Sequence, residues 1–205
     1  MILLSLSKPF FLLNIFIFSL NGGLNWIDYY PIGNHSYWNY SITENNENYK
    51  QSVVMTYLES GEQNDFMIET SGKRKSKFYF THDKEKVYLN NVELNWGIIP
   101  FPIKLKCSTS VPVFVFDGYK NEEWAWKGTF QFLFITKEVE INYQILGFEL
   151  INSSLGSIEC LKIKTIYKES DTNRELISWF AKGIGLLKEK SDQYEKQLID
   201  FKIYK

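Results

Sequence analysis

The 205-residue chain is poor in several residue types, and each scarcity narrows what it can be. It has two cysteines, Cys107 and Cys160, with neither a CxxC motif nor a Cys/His spacing, so a structural zinc site has no basis in the sequence. Its two histidines, His35 in NHS and His82 in THDK, sit among turn-forming residues. His82 beside Asp83 offers a metal only neighbouring positions of one turn, which do not supply three or four converging ligands. Arginine is nearly missing: Arg74 and Arg174 are the only two among 23 basic residues, and the formal net charge is -1. With no global positive field and no arginine cluster for bidentate phosphate contacts, nucleic acid is not an expected partner. There is no GxGxxG between a strand and a helix, and no GxSxG nucleophile elbow. No catalytic, cofactor-binding or metal-binding residue is therefore assigned, and no cofactor is implied.

What the chain does have is aromatic and β-branched residues. The composition is 44% hydrophobic and 17% aromatic, with 16 Phe and 13 Tyr spread among Ile and Val, which suit a pleated, half-buried surface. Period-2 alternation recurs after residue 36, beginning where Trp38, Tyr40 and Ile42 alternate with Asn39, Ser41 and Thr43. Strands are expected over Tyr49 to Glu59, Asp65 to Thr70, Lys75 to Thr81 and Lys86 to Asn90. The separators SGEQN, SGKR and THDKE are turn chemistry, so this part reads as a meander of antiparallel hairpins. Pro100 and Pro102 in NWGIIPFPIK forbid a central strand there. Strands resume over Val111 to Asp117, Glu123 to Phe134, Glu138 to Gly147, Ile158 to Tyr167, Glu175 to Phe180, Ile184 to Lys188 and Glu195 to Tyr204. Any helix is short, in the 90s or around Ser153. The expected fold is all-β: a large curved antiparallel sheet or incomplete barrel of about 11 strands with little helix.

The first 23 residues differ from the rest. They hold one charge, Lys8, followed by an apolar run from Phe10 to Leu20 broken only by Asn14 and Ser19. Its length matches the hydrophobic region of a signal peptide, and an uncleaved membrane anchor is the rival reading. The division expected is thus a signal peptide or N-terminal hydrophobic segment over 1-23 and a single β domain over 24-205. Export to the periplasm or cell surface follows from the first alternative, and membrane attachment through this segment alone from the second. In an exported chain Cys107 and Cys160 could form a disulfide closing a long loop; on different faces they are small buried hydrophobes.

Local motifs favour structural roles. WFAKGIGLLKEK, residues 179 to 190, carries Gly183 and Gly185 between two strands, where positive φ or close backbone approach at a hairpin accounts for them. Trp124 and Trp126, two apart and on one strand face, with Glu122, Glu123 and Lys127 nearby, read as packing, the alternative being a sugar platform. GKRKSK, residues 72 to 77, reads as a solvated turn that discourages edge pairing rather than a lipid-headgroup patch.

Four stretches carry a resemblance to a known group. YYPIGNHSYWNYS at 29 to 41, WKGTFQ at 126 to 131, LGSIECLKIK at 155 to 164 and WFAKGIGLLKEK resemble landmarks of uncharacterised bacterial exported or lipoprotein-like all-β proteins. These are similar in fold to the lipoprotein-carrier (outer-membrane lipoprotein localisation) superfamily. The resemblance implies a curved antiparallel sheet able to enclose an apolar ligand, and no catalytic residue. The sequence departs from lipoprotein members in having no cysteine directly after its apolar run, the first being Cys107. The leading expectation is an exported, non-enzymatic β protein binding a lipid-like or other hydrophobic molecule, or an envelope protein. The alternatives are a structural or adhesion protein without a ligand pocket, and an envelope hydrolase acting on glycan or ester.

Overall fold

The computed structural model describes residues 29–31, 33–58, 65–83, 86–95, 102–115, 123–132, 134–170 and 172–204. The apolar run of the first 23 residues and the 90s segment beyond Asn95 lie outside them. Twelve strands follow one another: β1 (Tyr37–Glu44), β2 (Glu47–Tyr57), β3 (Asp65–Gly72), β4 (Lys75–His82), β5 (Lys86–Asn95), β6 (Ile103–Val115), β7 (Glu123–Phe132), β8 (Ile135–Ser153), β9 (Gly156–Glu169), β10 (Thr172–Ala181), β11 (Gly185–Ser191) and β12 (Tyr194–Lys202). Each pairs antiparallel with its neighbours in sequence, and β1 pairs with β12, so the sheet closes into a barrel. The all-β antiparallel expectation holds, and closure corrects its curved sheet or incomplete barrel of about 11 strands to a complete barrel of twelve. The first and last strands thereby satisfy one another's edges.

Three further expectations are corrected. No helix forms around Ser153: β8 runs through it, Ser154 and Leu155 make the turn, and Leu155 N–H donates to Ser153 Oγ at 3.1 Å. His82 ends β4 rather than lying in a turn. The strand at Val111 begins eight residues earlier, at Ile103 directly after Pro102, because Ile103, Leu105 and Cys107 alternate with Lys104, Lys106 and Ser108.

One strand face supplies the core. On β1, Trp38, Tyr40, Ile42 and Glu44 are buried and point inward; on β3, Phe66, Ile68 and Thr70 do so. Phe66 is fully buried and stacks on Phe80 with centroids 5.1 Å apart. Each such side chain contributes roughly 1.5–3 kcal/mol by leaving water. The apolar side chains among these belong to one continuous buried cluster. The outer face carries lysine and glutamate ladders, among them Lys104–Glu93 at 3.1 Å and Lys188–Glu195 at 2.9 Å.

The barrel has two unlike ends. The turns at 45–46, 73–74 and 192–193 lie at one end, the far end, together with Ser170; the terminal end carries Tyr29, Tyr204 and the hairpin turns at 154–155 and 182–184. There Ser36 Oγ accepts from Tyr204 N–H at 3.0 Å, tying the two described chain ends together.

Candidate functional site

At the far end every ladder is continuous, and the interior wall from β9 round to β4 is polar. Glu44, Gln51, Thr70, Ser76, Thr165, Ser178, Glu189 and Lys196 are all buried there. Glu189 and Lys196 are register partners on β11 and β12, each 1% exposed. Burial pushes the Glu189 carboxyl upward against the opposing pull of Lys196, Tyr194 and Ser178. The same desolvation pushes Lys196 downward, with Glu189 opposing it. The ammonium of Lys196 lies 4.2 Å from the centroid of the Tyr40 ring, a cation–π contact that compensates part of its lost hydration. Arg74 reaches Glu44 at 3.6 Å, and Tyr49 O–H donates to the same carboxylate at 3.2 Å. Burial, then Glu44, pushes the Tyr49 phenol up to about 12. This enclosed cluster has the chemistry of a structural network.

The basic turn of residues 72 to 77 lies at that end and is the solvated turn expected, with Gly72, Lys73 and Lys75 exposed. Lys73 pairs with Glu47, Arg74 with Glu44 and Lys77 with Glu69, acids of β2, β1 and β3. The cysteines are free thiols: Cys107 faces inward on β6, Cys160 lies on the outer-face register of β9 opposite Glu149 and Ala181. The conditional disulfide is thereby corrected. Burial pushes both thiols up to about 12, which suits small hydrophobes rather than nucleophiles. Among the described residues no group of three or more His, Cys, Asp or Glu is placed to hold a metal ion.

Towards the terminal end the barrel divides. Between β6 and β7 the register consists of three pairs, ending at Cys107↔Phe130, although the strands are 13 and 10 residues long. Side chains bridge the gap instead. Thr129 N–H donates to Ser108 Oγ at 3.0 Å, Trp126 Nε1–H to Thr109 Oγ1 at 3.0 Å and Trp124 Nε1–H to the Pro112 carbonyl at 3.3 Å. Pro112 lies within a strand yet offers no N–H, which a paired edge would need. Its carbonyl points into the gap, and nitrogen and carbonyl of one strand residue point the same way, so the missing donor falls where no ladder runs. Trp126 fills the opening: a Cβ on Gly128 would stand 2.3 Å from its ring, so the indole lies where residue 128 would otherwise project.

A second, matching gap lies between β11 and β12, whose register of four pairs stops at Lys188↔Gln197. Here Trp38 Nε1–H donates to the Ile184 carbonyl at 2.6 Å and Tyr40 O–H to the Leu186 carbonyl at 3.1 Å. Each gap is thus latched by two aromatic donors two residues apart on one strand. Gly183 (φ 72) and Gly185 (φ 98) form the adjoining turn, the role expected for the two glycines.

Between the gaps, the β8–β9 hairpin overhangs the terminal end. Its ladder continues past Gln144, the last β8 residue paired with β7, to Ser153↔Gly156. Phe148 is the register partner of Leu161, which faces inward and is fully buried, so Phe148 and Leu150 belong to the inward face. They are nonetheless 50% and 64% exposed. On the outer face of the same hairpin Trp179 of β10 lies between the ammonium groups of Lys162 and Lys188, and its indole N–H donates to Glu149 at 3.0 Å.

The sugar-platform alternative for Trp124 and Trp126 meets this geometry in part. Trp126 is buried against Phe130, and Trp124 stacks on Tyr143 with centroids 4.9 Å apart. An outer cleft of about 340 Å³ includes Trp124 with Glu123, Ala125, Asn142, Gln144 and Lys168. Its polar groups bond one another: Gln144 Nε2 donates to Glu123, and Asn142 and Lys168 both donate to Glu140. The overhang and the two latched gaps had no counterpart in the sequence reading. Pro112 was the one available signal, a proline inside an alternating run.

No protein-family model matches the chain, and no curated protein does. Two solved structures are similar in the course of the sheet. One is a Bacteroides fragilis protein provisionally named as exported, with a YmcC-like fold: 9% identity, TM-score 0.49, covering 82% of this chain and 96% of its own. The other is the Escherichia coli hypothetical lipoprotein YmcC: 8% identity, TM-score 0.44, covering 88% of this chain and 99% of its own. A likeness this distant transfers neither export nor lipid attachment.

Proposed function

We propose that this chain is an exported, non-enzymatic β-barrel protein that binds the apolar part of a lipid-like molecule at its terminal end. The observation that carries the reading is the exposure of Phe148 and Leu150 on the strand face that carries the buried Leu161 and Ile163, just where that face leaves the core. Large apolar side chains continuous with a core and open to solvent mark a binding surface. Export is supported by the apolar run from Phe10 to Leu20, and membrane retention through that run is the alternative. In this reading the ligand is taken at the terminal end of the barrel, against Phe148 and Leu150.

A second reading has one observation in its favour. One continuous buried cluster of the barrel's own side chains leaves the overhang free to meet another envelope protein, the structural or adhesion role. The hydrolase alternative gains nothing from the Glu189–Lys196 pair, each 1% exposed.

The experiment is intact mass measurement of protein purified gently from its native host, under native and denaturing conditions. A chain shortened near residue 20 with a releasable lipid-range mass is expected. A full-length chain without bound mass would turn the account to a retained anchor and a protein partner.

A further inference from the structure

We propose that the outer face of β7, β8 and β9 carries a second binding site, a trough that takes one neutral sugar ring. The site lies on the opposite face of the sheet from Phe148 and Leu150 and does not rest on the lipid-binding reading.

Three cross-strand rows build the trough. The middle row is Ala125↔Asn142↔Ile166, apolar at both ends. One flanking row is Glu123↔Gln144↔Lys164, and the other is Lys127↔Glu140↔Lys168. Ala125 is exposed and ends at its Cβ, whereas every flanking side chain is long, so the middle row lies below its neighbours. The result is the outer cleft of about 340 Å³, whose lining includes Ala125, Asn142, Ile166, Gln144 and Lys168. Small-molecule sites begin at about 300 Å³. The floor crosses three strands, about 10 Å, and the walls stand four residues apart along β8, about 13 Å. Glu175 is the next member of the middle row, and its ion pair with Lys164 at 2.5 Å bounds the trough on the β10 side. These dimensions suit a single six-membered ring with its hydroxyls.

The walls select an uncharged polyol. Each wall carries both signs, Glu123 and Lys164 on one side, Glu140 and Lys168 on the other, so an anion or a cation meets a like charge on either side. Gln144 Nε2 donates to Glu123 at 2.7 Å, and Asn142 Nδ2 to Glu140 at 2.7 Å. Each amide spends one hydrogen in this way and keeps its carbonyl oxygen and second N–H for a ligand. Neighbouring sugar hydroxyls both donate and accept, which matches such a mixed set. The C–H face of the ring would cover Ala125 and Ile166, removing their apolar surface from water.

The test is a two-dimensional NMR titration of the isotope-labelled protein with four neutral probes, the methyl pyranosides of glucose, galactose, mannose and N-acetylglucosamine. At least one should shift amides of 123–127, 140–144 and 164–168 saturably, and more strongly than glucuronate or glucosamine at the same concentration. Ala125→Gln raises the floor at an exposed position and should weaken that binding by at least about tenfold while the fold is kept. Asn142→Leu/Gln144→Leu keeps the size of both side chains, removes both amides, and should weaken it by about fivefold or more. Lys104→Ala, on the outer face of β6, should leave it at the wild-type value. Weakening in either trough variant sustains the site. No saturable shift with any neutral probe overturns it, as does a shift centred outside β7–β9, binding unchanged in both trough variants, or a stronger response to a charged probe. Each of these failures leaves the lipid-binding reading standing.

Discussion

The two ends of this barrel solve the same problem by different means. At the far end every strand meets its neighbour, and the continuous ladder encloses a carboxylate, an ammonium and several hydroxyls. At the terminal end two ladders lapse, and indole and phenol groups from Trp38, Tyr40, Trp124 and Trp126 hydrogen-bond in place of the missing backbone pairs. A closed backbone lets the interior be polar, whereas an interrupted one requires aromatic side chains that are apolar in body and donors at the tip. The first arrangement holds one structure, and the second can be parted without breaking a ladder.

The largest effect that would break this comparison lies at the far end. Lys196→Met leaves Glu189 buried without its cation and should cost about 3–5 kcal/mol in urea unfolding at neutral pH, whereas Lys196→Met/Glu189→Leu should recover most or all of it. The pH dependence follows from the two shifts. The raised Glu189 carboxyl contributes stability at acid pH that is lost as pH rises through its folded value; the depressed Lys196 contributes stability at alkaline pH that is lost as pH falls through its own. The double variant should therefore gain most over the wild type in the neutral window between them.

At the terminal end the effects are smaller. Gly128→Val places a Cβ where the Trp126 ring lies and should cost about 1–3 kcal/mol by overpacking, with tryptophan emission shifted to the red. Tyr40→Phe leaves the Leu186 carbonyl without its donor in a buried setting and should cost about 1–2 kcal/mol. Phe148→Asp/Leu150→Asp should leave the thermal midpoint within a few degrees of wild type, because both side chains are half or more exposed, while abolishing fatty-acid binding. Smallest of all, Lys164→Ala removes a surface pair with Glu175 and should change stability by less than about 1 kcal/mol at either end.

Much of the far end was legible in the sequence. Alternation placed eleven or twelve strands, and turn residues placed most hairpins, because a strand with one wet face writes its period into the chain. Closure was not legible. It depends on β1 pairing with β12 across more than 150 residues, and neither strand carries a local sign of the other. The segment before Val111 was passed over because Pro100 and Pro102 precede it, although Ile103, Leu105 and Cys107 alternate with lysine and serine as plainly as β1 does. The inward polar residues were hidden by the same period. Lys196 and Glu189 read as wet-face residues until the register shows them turned to the core. The tryptophan pair was correctly read as packing; that it packs into a gap could be inferred only from Pro112, which forbids a ladder on one side of its strand.

Hydrogen exchange followed by mass spectrometry on the protein without ligand tests the central claim most directly. If the terminal end is two sheets held by side-chain latches, the gap-facing amides, every other residue of 108–113 and of 124–128 with Pro112 having none, should exchange at least about tenfold faster than the amides of 141–145 and 161–166 on the fully paired β8 and β9. Uniform protection across β6, β7, β8 and β9 would contradict it.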